Sequence, residues 1–161
     1  MTVGQYNQCV DQYSDNIYRF ILRNIRDEDQ AKDVVQDTYM KLWEKVREVS
    51  FEKARSYLFT SAYHTMIDHI RRSKKFVDAT LPADQAGLGL NEYFDLPDIL
   101  NKAVDQLPDI QRSVILLRDY EGYSYQEIGE ITGLSESQVK VYIYRARLFL
   151  KSYLVKIDNL V

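Results

Sequence analysis

The stretch that decides the fold is SYQEIGEITGLSESQVKVYIYRARLFL, residues 124–150. Ser124 and Glu127 fit the capping-box pattern S-x-x-E, which predicts the start of a helix. Ser135 and Gln138 repeat the pattern as S-x-x-Q and predict the start of a second helix. The glycine between the two patterns can adopt the left-handed conformation that a tight turn needs. Two capped helices joined by a short turn are typical of a helix-turn-helix.

The second predicted helix has one apolar face, formed by Val139, Ile143, Ala146 and Leu150. The opposite side and its flanks carry Ser137, Gln138, Lys140, Val141, Tyr144, Arg145 and Leu148. A helix that enters a DNA major groove needs an apolar back and a front whose side chains reach bases and phosphates. A solvated amphipathic helix in an all-helical protein is the alternative interpretation.

The composition favours an all-α protein of one domain or two small ones. The 161 residues are 45% hydrophobic and 28% charged, which is enough for real cores. Only six glycines and three prolines occur, and no strand-like alternation with hairpin turns is seen. No apolar run is long enough for a membrane span, and no signal peptide is recognisable. The single Cys9 excludes an internal disulfide, so we expect a cytoplasmic protein.

The charges are segregated along the chain. The net charge of −3 argues against a general nucleic-acid binder, yet residues 53–75 and 136–156 are strongly basic. Acidic residues concentrate over 27–48 and 78–109. This distribution predicts two nucleic-acid contacts and an acidic surface for a protein partner.

The periodicity predicts two helical domains, over residues 1–75 and 97–161, joined by a linker over 76–96. In the first domain, the predicted helices cover residues 5–24, 28–46 and 54–74. In the second domain, a helix over 98–106 is followed by one between Pro108 and Gly122. The helix-turn-helix comes last, and its second helix continues to about residue 157.

The predicted helix over residues 28–46 is capped by Asp27. Its acidic outer face is formed by Asp33, Gln36, Asp37, Met40 and Glu44. We interpret this face as a docking surface, with a solvated helix face as the alternative. The third predicted helix combines aromatic and basic residues, among them Arg55, Tyr57, Phe59, Tyr63, His64, Arg71, Arg72, Lys74 and Lys75. That mixture suits unpaired nucleic acid, whereas the alternative places most of these aromatic side chains in the core.

An enzyme is the less favoured class. His64 and Asp68 are four residues apart on a predicted helix, a spacing that suits two metal ligands. No third and fourth ligands accompany them, and Asp68 is better explained by a pair with Arg71 or Arg72. We therefore expect no metal, no cofactor and no catalysis.

Three segments together resemble bacterial sigma-70-family RNA polymerase sigma factors of the two-domain extracytoplasmic-function group. AKDVVQDTYMKLW (31–43) resembles the family's region 2.2, and ARSYLFTSAYHTMIDHIRRSKK (54–75) resembles regions 2.3 and 2.4. The segment 107–150 resembles region 4. The order and spacing of the three, with a linker in place of region 3, match this group over nearly the whole chain.

The resemblance implies a transcription initiation factor that binds core RNA polymerase and promoter DNA. The residues that would bind the β′ clamp helices of the polymerase are Asp33, Gln36, Asp37 and Met40. Residues 108–125 would lie against the β flap. The minus-10 element would be read and opened by Arg55, Tyr57, Tyr63, His64, Arg71, Arg72 and Lys74. The minus-35 element would be read by Ser137, Gln138, Lys140, Val141, Tyr144 and Arg145. An anti-sigma factor is a further implied partner.

The sequence departs from the common family pattern at several positions. His64 replaces a usual Asn, Tyr57 a usual Trp and Gln138 a usual Thr. Gly129 replaces Ala, a small-for-small change that we expect to keep close helix packing. These differences bear on the promoter sequence rather than on the family. The alternative functions are a helix-turn-helix regulator, such as a response-regulator-type activator, and a sigma-like protein that no longer supports initiation.

Overall fold

The computed structural model describes residues 1–77 and 96–160, with side chains over 1–73 and 98–159. These residues form helices and turns without a β-strand, which confirms the all-α class. The predicted linker over 76–96 lies outside the described residues except at its ends, which continue the flanking helices. The Lys74 side chain, predicted to contact DNA, also lies outside them. No helix of the described part is long and apolar enough to cross a membrane.

The chain forms two compact units. The first contains α1 (Val3–Ile25), α2 (Glu28–Glu44), a short 3₁₀ turn (Phe51–Lys53) and α3 (Ala54–Val77). All three predicted helices are confirmed, with each boundary within a turn of its predicted position. The Asp27 cap is also confirmed, because its side chain accepts a hydrogen bond from the Gln30 backbone N–H at 3.0 Å.

The core of the first unit lies between its three helices. Phe20 of α1 meets Phe59 of α3 edge to face, with ring centroids 5.7 Å apart. Other apolar residues buried in this unit are Ile17, Ile21, Val34, Leu42, Leu58, Ala62 and Met66. Each large apolar side chain contributes about 1.5–3 kcal/mol through burial, so this packing fixes the face that α2 and α3 leave exposed.

A buried phenol ties α1 to α2. The Tyr39 hydroxyl donates to the Cys9 carbonyl at 3.1 Å, and the Ser14 hydroxyl lies 3.1 Å from the Tyr39 hydroxyl oxygen. The Tyr6 hydroxyl donates to the Tyr39 carbonyl at 3.1 Å. Burial is the main reason that the pKa of Tyr39 rises to about 12. Tyr39 is therefore neutral at physiological pH and acts as a fixed hydrogen-bonding group.

The second unit contains most of the residues after the gap. Its helices are α4 (Leu96–Asp105), α5 (Asp109–Ile115), α6 (Tyr125–Thr132) and α7 (Glu136–Leu160). A wider turn over Leu116–Tyr120 follows α5, in which the Glu121 N–H donates to the Leu116 carbonyl five residues earlier. The helix predicted between Pro108 and Gly122 is therefore α-helical only in its first half.

The helix-turn-helix forms as predicted. The Ser124 hydroxyl accepts from the Glu127 N–H at 3.1 Å, and the Ser124 N–H donates to the Glu127 carboxylate at 3.0 Å. Gly133 ends α6 in the left-handed conformation, with φ of 81°. The close packing expected at Gly129 is confirmed, because a Cβ built there would lie 2.8 Å from the Leu134 carbonyl oxygen. Alanine would therefore push against backbone, and this turn is tight enough to require glycine.

Arg112 is the structural residue that the sequence did not reveal. Its side chain is buried and donates from Nε to the Val104 carbonyl at 3.2 Å. Its Nη2 donates to the carbonyls of Asp105 at 3.1 Å and Leu107 at 2.6 Å. Nη1 lies 3.3 Å from the Asp109 carboxylate. One guanidinium thus binds three backbone carbonyls at and just after the C-terminal end of α4, and it holds α4 against the start of α5.

Candidate nucleic-acid and protein interfaces

All the residues predicted to contact DNA from the outer face of α7 are exposed to solvent. Tyr144 is 65% exposed and Val141 is 44% exposed. The other exposed residues of this set are Ser137, Gln138, Lys140 and Arg145. The buried residues on the opposite face are Val139, Ile143 and Ala146. α7 is therefore anchored by a narrow apolar stripe, as the sequence predicted, although Leu150 of that stripe is only half-buried.

The first turn of α7 is held by the second predicted capping box. The Ser135 hydroxyl accepts from the Gln138 backbone N–H at 3.1 Å. In return, the Ser135 N–H donates to the Gln138 side-chain oxygen at 2.9 Å. Gln138 thus has the capping role that the S-x-x-Q pattern predicted, beside the DNA contact expected of its exposed side chain.

Cations surround the exposed face of α7 in weak pairs. Lys140 lies 3.7 Å from Glu136, and both side chains are more than half exposed. The Lys140 ammonium also lies 5.8 Å from the centre of the Tyr125 ring. The Arg145 guanidinium lies 6.0 Å from the Tyr142 ring centre. Exposed contacts of this kind contribute little stability, so these cations can exchange them for phosphates at small cost.

Arg147 is held more firmly than its neighbours. Its Nη2 donates to the Asp119 carboxylate at 2.9 Å, and this hydrogen bond is the main reason that its pKa is raised. The pair joins α7 to the wider turn that follows α5. Arg147 is therefore already paired within the second unit, although both side chains of this pair remain partly exposed.

The acidic face of α2 forms a surface whose exposed members are Asp33, Gln36 and Met40, the last with 62% exposure. Asp37 is half-buried, and its carboxylate lies 3.6 Å from the His69 Nε2 of α3. Trp43 extends the surface, because it is 49% exposed and packs edge to face on Tyr6 at 5.1 Å. The sequence prediction missed Trp43, although its position three residues after Met40 places it beside that side chain.

The residues predicted on α3 separate into two groups. The first group has side chains in solvent. It consists of the exposed His64, Arg71 and Arg72 and the half-buried Arg55 and Tyr57. Tyr63 is only 6% exposed and lies against the exposed His64 ring, with centroids 5.5 Å apart. Phe59 is fully buried beneath the Arg55 guanidinium. The alternative interpretation, that these aromatic residues belong to the core, is therefore right for Phe59 and Tyr63.

The possible metal pair gains no further ligands. Among the described residues, no three His, Cys, Asp or Glu side chains come together as a metal site. His69 faces Asp37 on the neighbouring helix. The arrangement is one of exposed cations, amides and aromatic rings, which can bind DNA and protein surfaces.

Comparison with known proteins identifies the family. The family model "Sigma-70 region 2" matches residues 9–76, and "Sigma-70, region 4" matches residues 98–150. RNA polymerase sigma factor YlaC of Bacillus subtilis is 32% identical, over 90% of this chain and 89% of that protein. ECF RNA polymerase sigma factor SigM of the same organism is 28% identical, over 94% of both chains.

A solved structure agrees with these matches. The sigma factor RpoE, in complex with the anti-sigma factor NepR from Bartonella quintana, superposes with a TM-score of 0.81 at 25% identity. The match covers 94% of this chain and 98% of that one. The two family models match in the order region 2, region 4, and together they cover about three quarters of the sequence. The chain belongs to the extracytoplasmic-function group of sigma-70-family sigma factors, non-enzymatic transcription initiation factors that direct RNA polymerase to promoters.

Proposed function

We propose that this sigma factor reads two promoter elements with two separate helices, α7 for minus-35 and α3 for minus-10, while α2 holds the polymerase. The observation that carries the proposal is the outer face of α7, where every predicted contact residue is exposed and the opposite face is buried. The domains are residues 1–75 and 97–161, with 76–96 as the linker, and the protein acts in the cytoplasm.

At the minus-35 element, α7 enters the major groove with its N-terminal half. The first turns of a recognition helix lie nearest the base edges. Lys140 and Arg145 supply charge for phosphates or guanine, and Ser137 and Gln138 supply hydrogen-bonding groups. Val141 and Tyr144, both exposed, offer apolar contact to thymine methyl groups.

At the minus-10 element, α3 binds DNA and helps to open it. The exposed His64 contacts an unpaired base, while the buried Tyr63 beneath it holds the imidazole in position. Arg71, Arg72 and Lys74 follow the backbone phosphates, with Arg55 and Tyr57 at the opposite end of the contact. Trapping an unstacked base offsets the few kcal/mol that unstacking requires.

Core polymerase binds the surface that begins at Asp33 on α2 and ends at Trp43. Asp33, Gln36 and Met40 contact the β′ clamp helices, and Asp37 contributes charge while it remains paired with His69. The second unit contacts the β flap through residues 108–125. Attachment of both units to one polymerase raises the effective concentration of each DNA contact for the other.

An anti-sigma factor is the remaining partner. RpoE of Bartonella quintana, which covers nearly all of this chain in the superposition, was solved bound to the anti-sigma factor NepR. We propose that a protein of this functional class also binds the present chain and limits its access to polymerase.

An Arg145→Ala variant tests the minus-35 assignment. Holoenzyme containing it is expected to bind promoter DNA about 1–3 kcal/mol more weakly if Arg145 contacts a base, with the loss confined to the upstream footprint. The measurement is quantitative footprinting with wild-type and variant holoenzyme. Lys156→Ala is the control, because it removes an exposed cation from the same face of α7 about 16 Å further along. Equal losses for the two variants would contradict the assignment.

A further inference from the structure

We propose that Gln138 selects guanine in the minus-35 element, because the helix cap engages its side-chain oxygen and leaves its amide N–H donors for DNA. The inference rests on the proposed function of α7 and adds the chemistry of one contact.

The orientation of the Gln138 amide is fixed by its partner. A backbone N–H can only donate, so the atom 2.9 Å from the Ser135 nitrogen must be Oε1. The reciprocal bond from the Gln138 N–H to the Ser135 hydroxyl, at 3.1 Å, locks the same turn. The Gln138 side chain remains exposed, and Nε2 carries two N–H donors that the cap does not use.

A glutamine without this restraint reads adenine, with its oxygen accepting from N6–H and its nitrogen donating to N7. That mode requires the O–N edge of the amide to lie against the base. Here Oε1 is turned back onto the Ser135 backbone, so the adenine mode would break the cap. The capped side chain approaches DNA as a donor.

The donor pattern fits guanine better than the other three bases. Thymine presents a single acceptor, O4, beside its methyl group. Guanine presents two adjacent acceptors in the major groove, O6 and N7. Adenine has an N6–H donor beside its N7 acceptor, and this donor would face the second N–H of the amide, so no hydrogen bond forms there. Cytosine presents only a donor. Gln138 is therefore expected to favour guanine over adenine and cytosine by about tenfold at one base pair.

A charge change that preserves the cap tests this inference. In Gln138→Glu, one carboxylate oxygen can still accept from the Ser135 N–H, while the amide donors are replaced by an acceptor. Wild-type and variant holoenzymes are each used to select duplexes from a library randomised across the minus-35 element. Wild type is expected to select guanine at one position, and Gln138→Glu to select cytosine there, because a carboxylate accepts from cytosine N4.

The matched control is Glu127→Gln at the corresponding position of the α6 capping box. There the Ser124 N–H donates to the Glu127 carboxylate at 3.0 Å, and a glutamine oxygen can replace it. This variant is expected to select the wild-type sequence. Thermal melting of both variants checks that neither substitution unfolds the second unit.

The outcomes separate this inference from the proposed function. An upstream motif that Gln138→Glu leaves unchanged, or that contains adenine at the Gln138-dependent position, overturns the inference while α7 remains the reader. Failure of wild-type holoenzyme to select any upstream motif overturns both. A switch from guanine to cytosine confined to one position supports both.

Discussion

An Arg112→Ala variant is expected to lower the free energy of unfolding of the second unit by about 3–5 kcal/mol, because it removes a buried charge-assisted network. The guanidinium makes hydrogen bonds to the carbonyls of Val104, Asp105 and Leu107, and these carbonyls would be left with no partner from residue 112. A loss of this size in a small unit lowers its melting temperature by more than about 10 °C.

Two further variants make the result specific to Arg112. Arg112→Lys keeps the charge but cannot span three carbonyls from one planar group, so it is expected to lose most of the same stability. Arg147→Ala removes an arginine whose partner Asp119 is exposed, and it is expected to lose less than about 1 kcal/mol. Thermal denaturation, with hydrogen exchange of residues 96–115 as a local probe, measures all three. Similar losses for Arg112→Ala and Arg147→Ala would contradict this role of Arg112.

Reversing two charges on α2, in Asp33→Lys/Asp37→Lys, is expected to weaken binding to core polymerase by at least about tenfold. Asp33 is exposed and Asp37 is paired with His69 only at 3.6 Å near the surface, so the fold should tolerate the change. Like charges placed against a complementary surface disfavour the complex. Affinity is measured by competition with the wild-type chain for core enzyme.

The control for this prediction is Asp11→Lys/Asp15→Lys on α1. It has the same charge change and the same spacing, and both residues are exposed in the same unit. The control variant is expected to bind core polymerase like wild type. Undiminished binding by the α2 variant, or equal losses in both variants, would show that the α2 surface is not the docking site.

The caps were predictable because their signals are local. Ser124 with Glu127 and Ser135 with Gln138 act over three residues, and both pairs form the expected reciprocal bonds. Arg112 was not predictable, because its main partners are backbone carbonyls at the end of another helix. The wider turn after α5 likewise follows from packing and leaves no mark on the hydrophobic periodicity.

The two helices proposed to read DNA, α3 and α7, differ in how well the sequence predicted which of their residues are exposed. α7 buries a narrow stripe, so periodicity separates Val139 and Ile143 from the exposed face. α3 packs against both α1 and α2 and buries a broad face, which includes Phe59 and Tyr63. Aromatic side chains suit either a core or a stacked base, so only the fold assigns Tyr63 to packing. The pair between Asp37 and His69 joins two helices and has no sequence signal.

This chain directs core polymerase to its promoters. The most direct measurement is in vitro transcription by core enzyme on a genomic fragment library, with and without the chain. We predict chain-dependent transcripts from discrete start sites that share two upstream motifs at a fixed spacing. A chain that binds core polymerase yet yields no such transcripts would contradict the account.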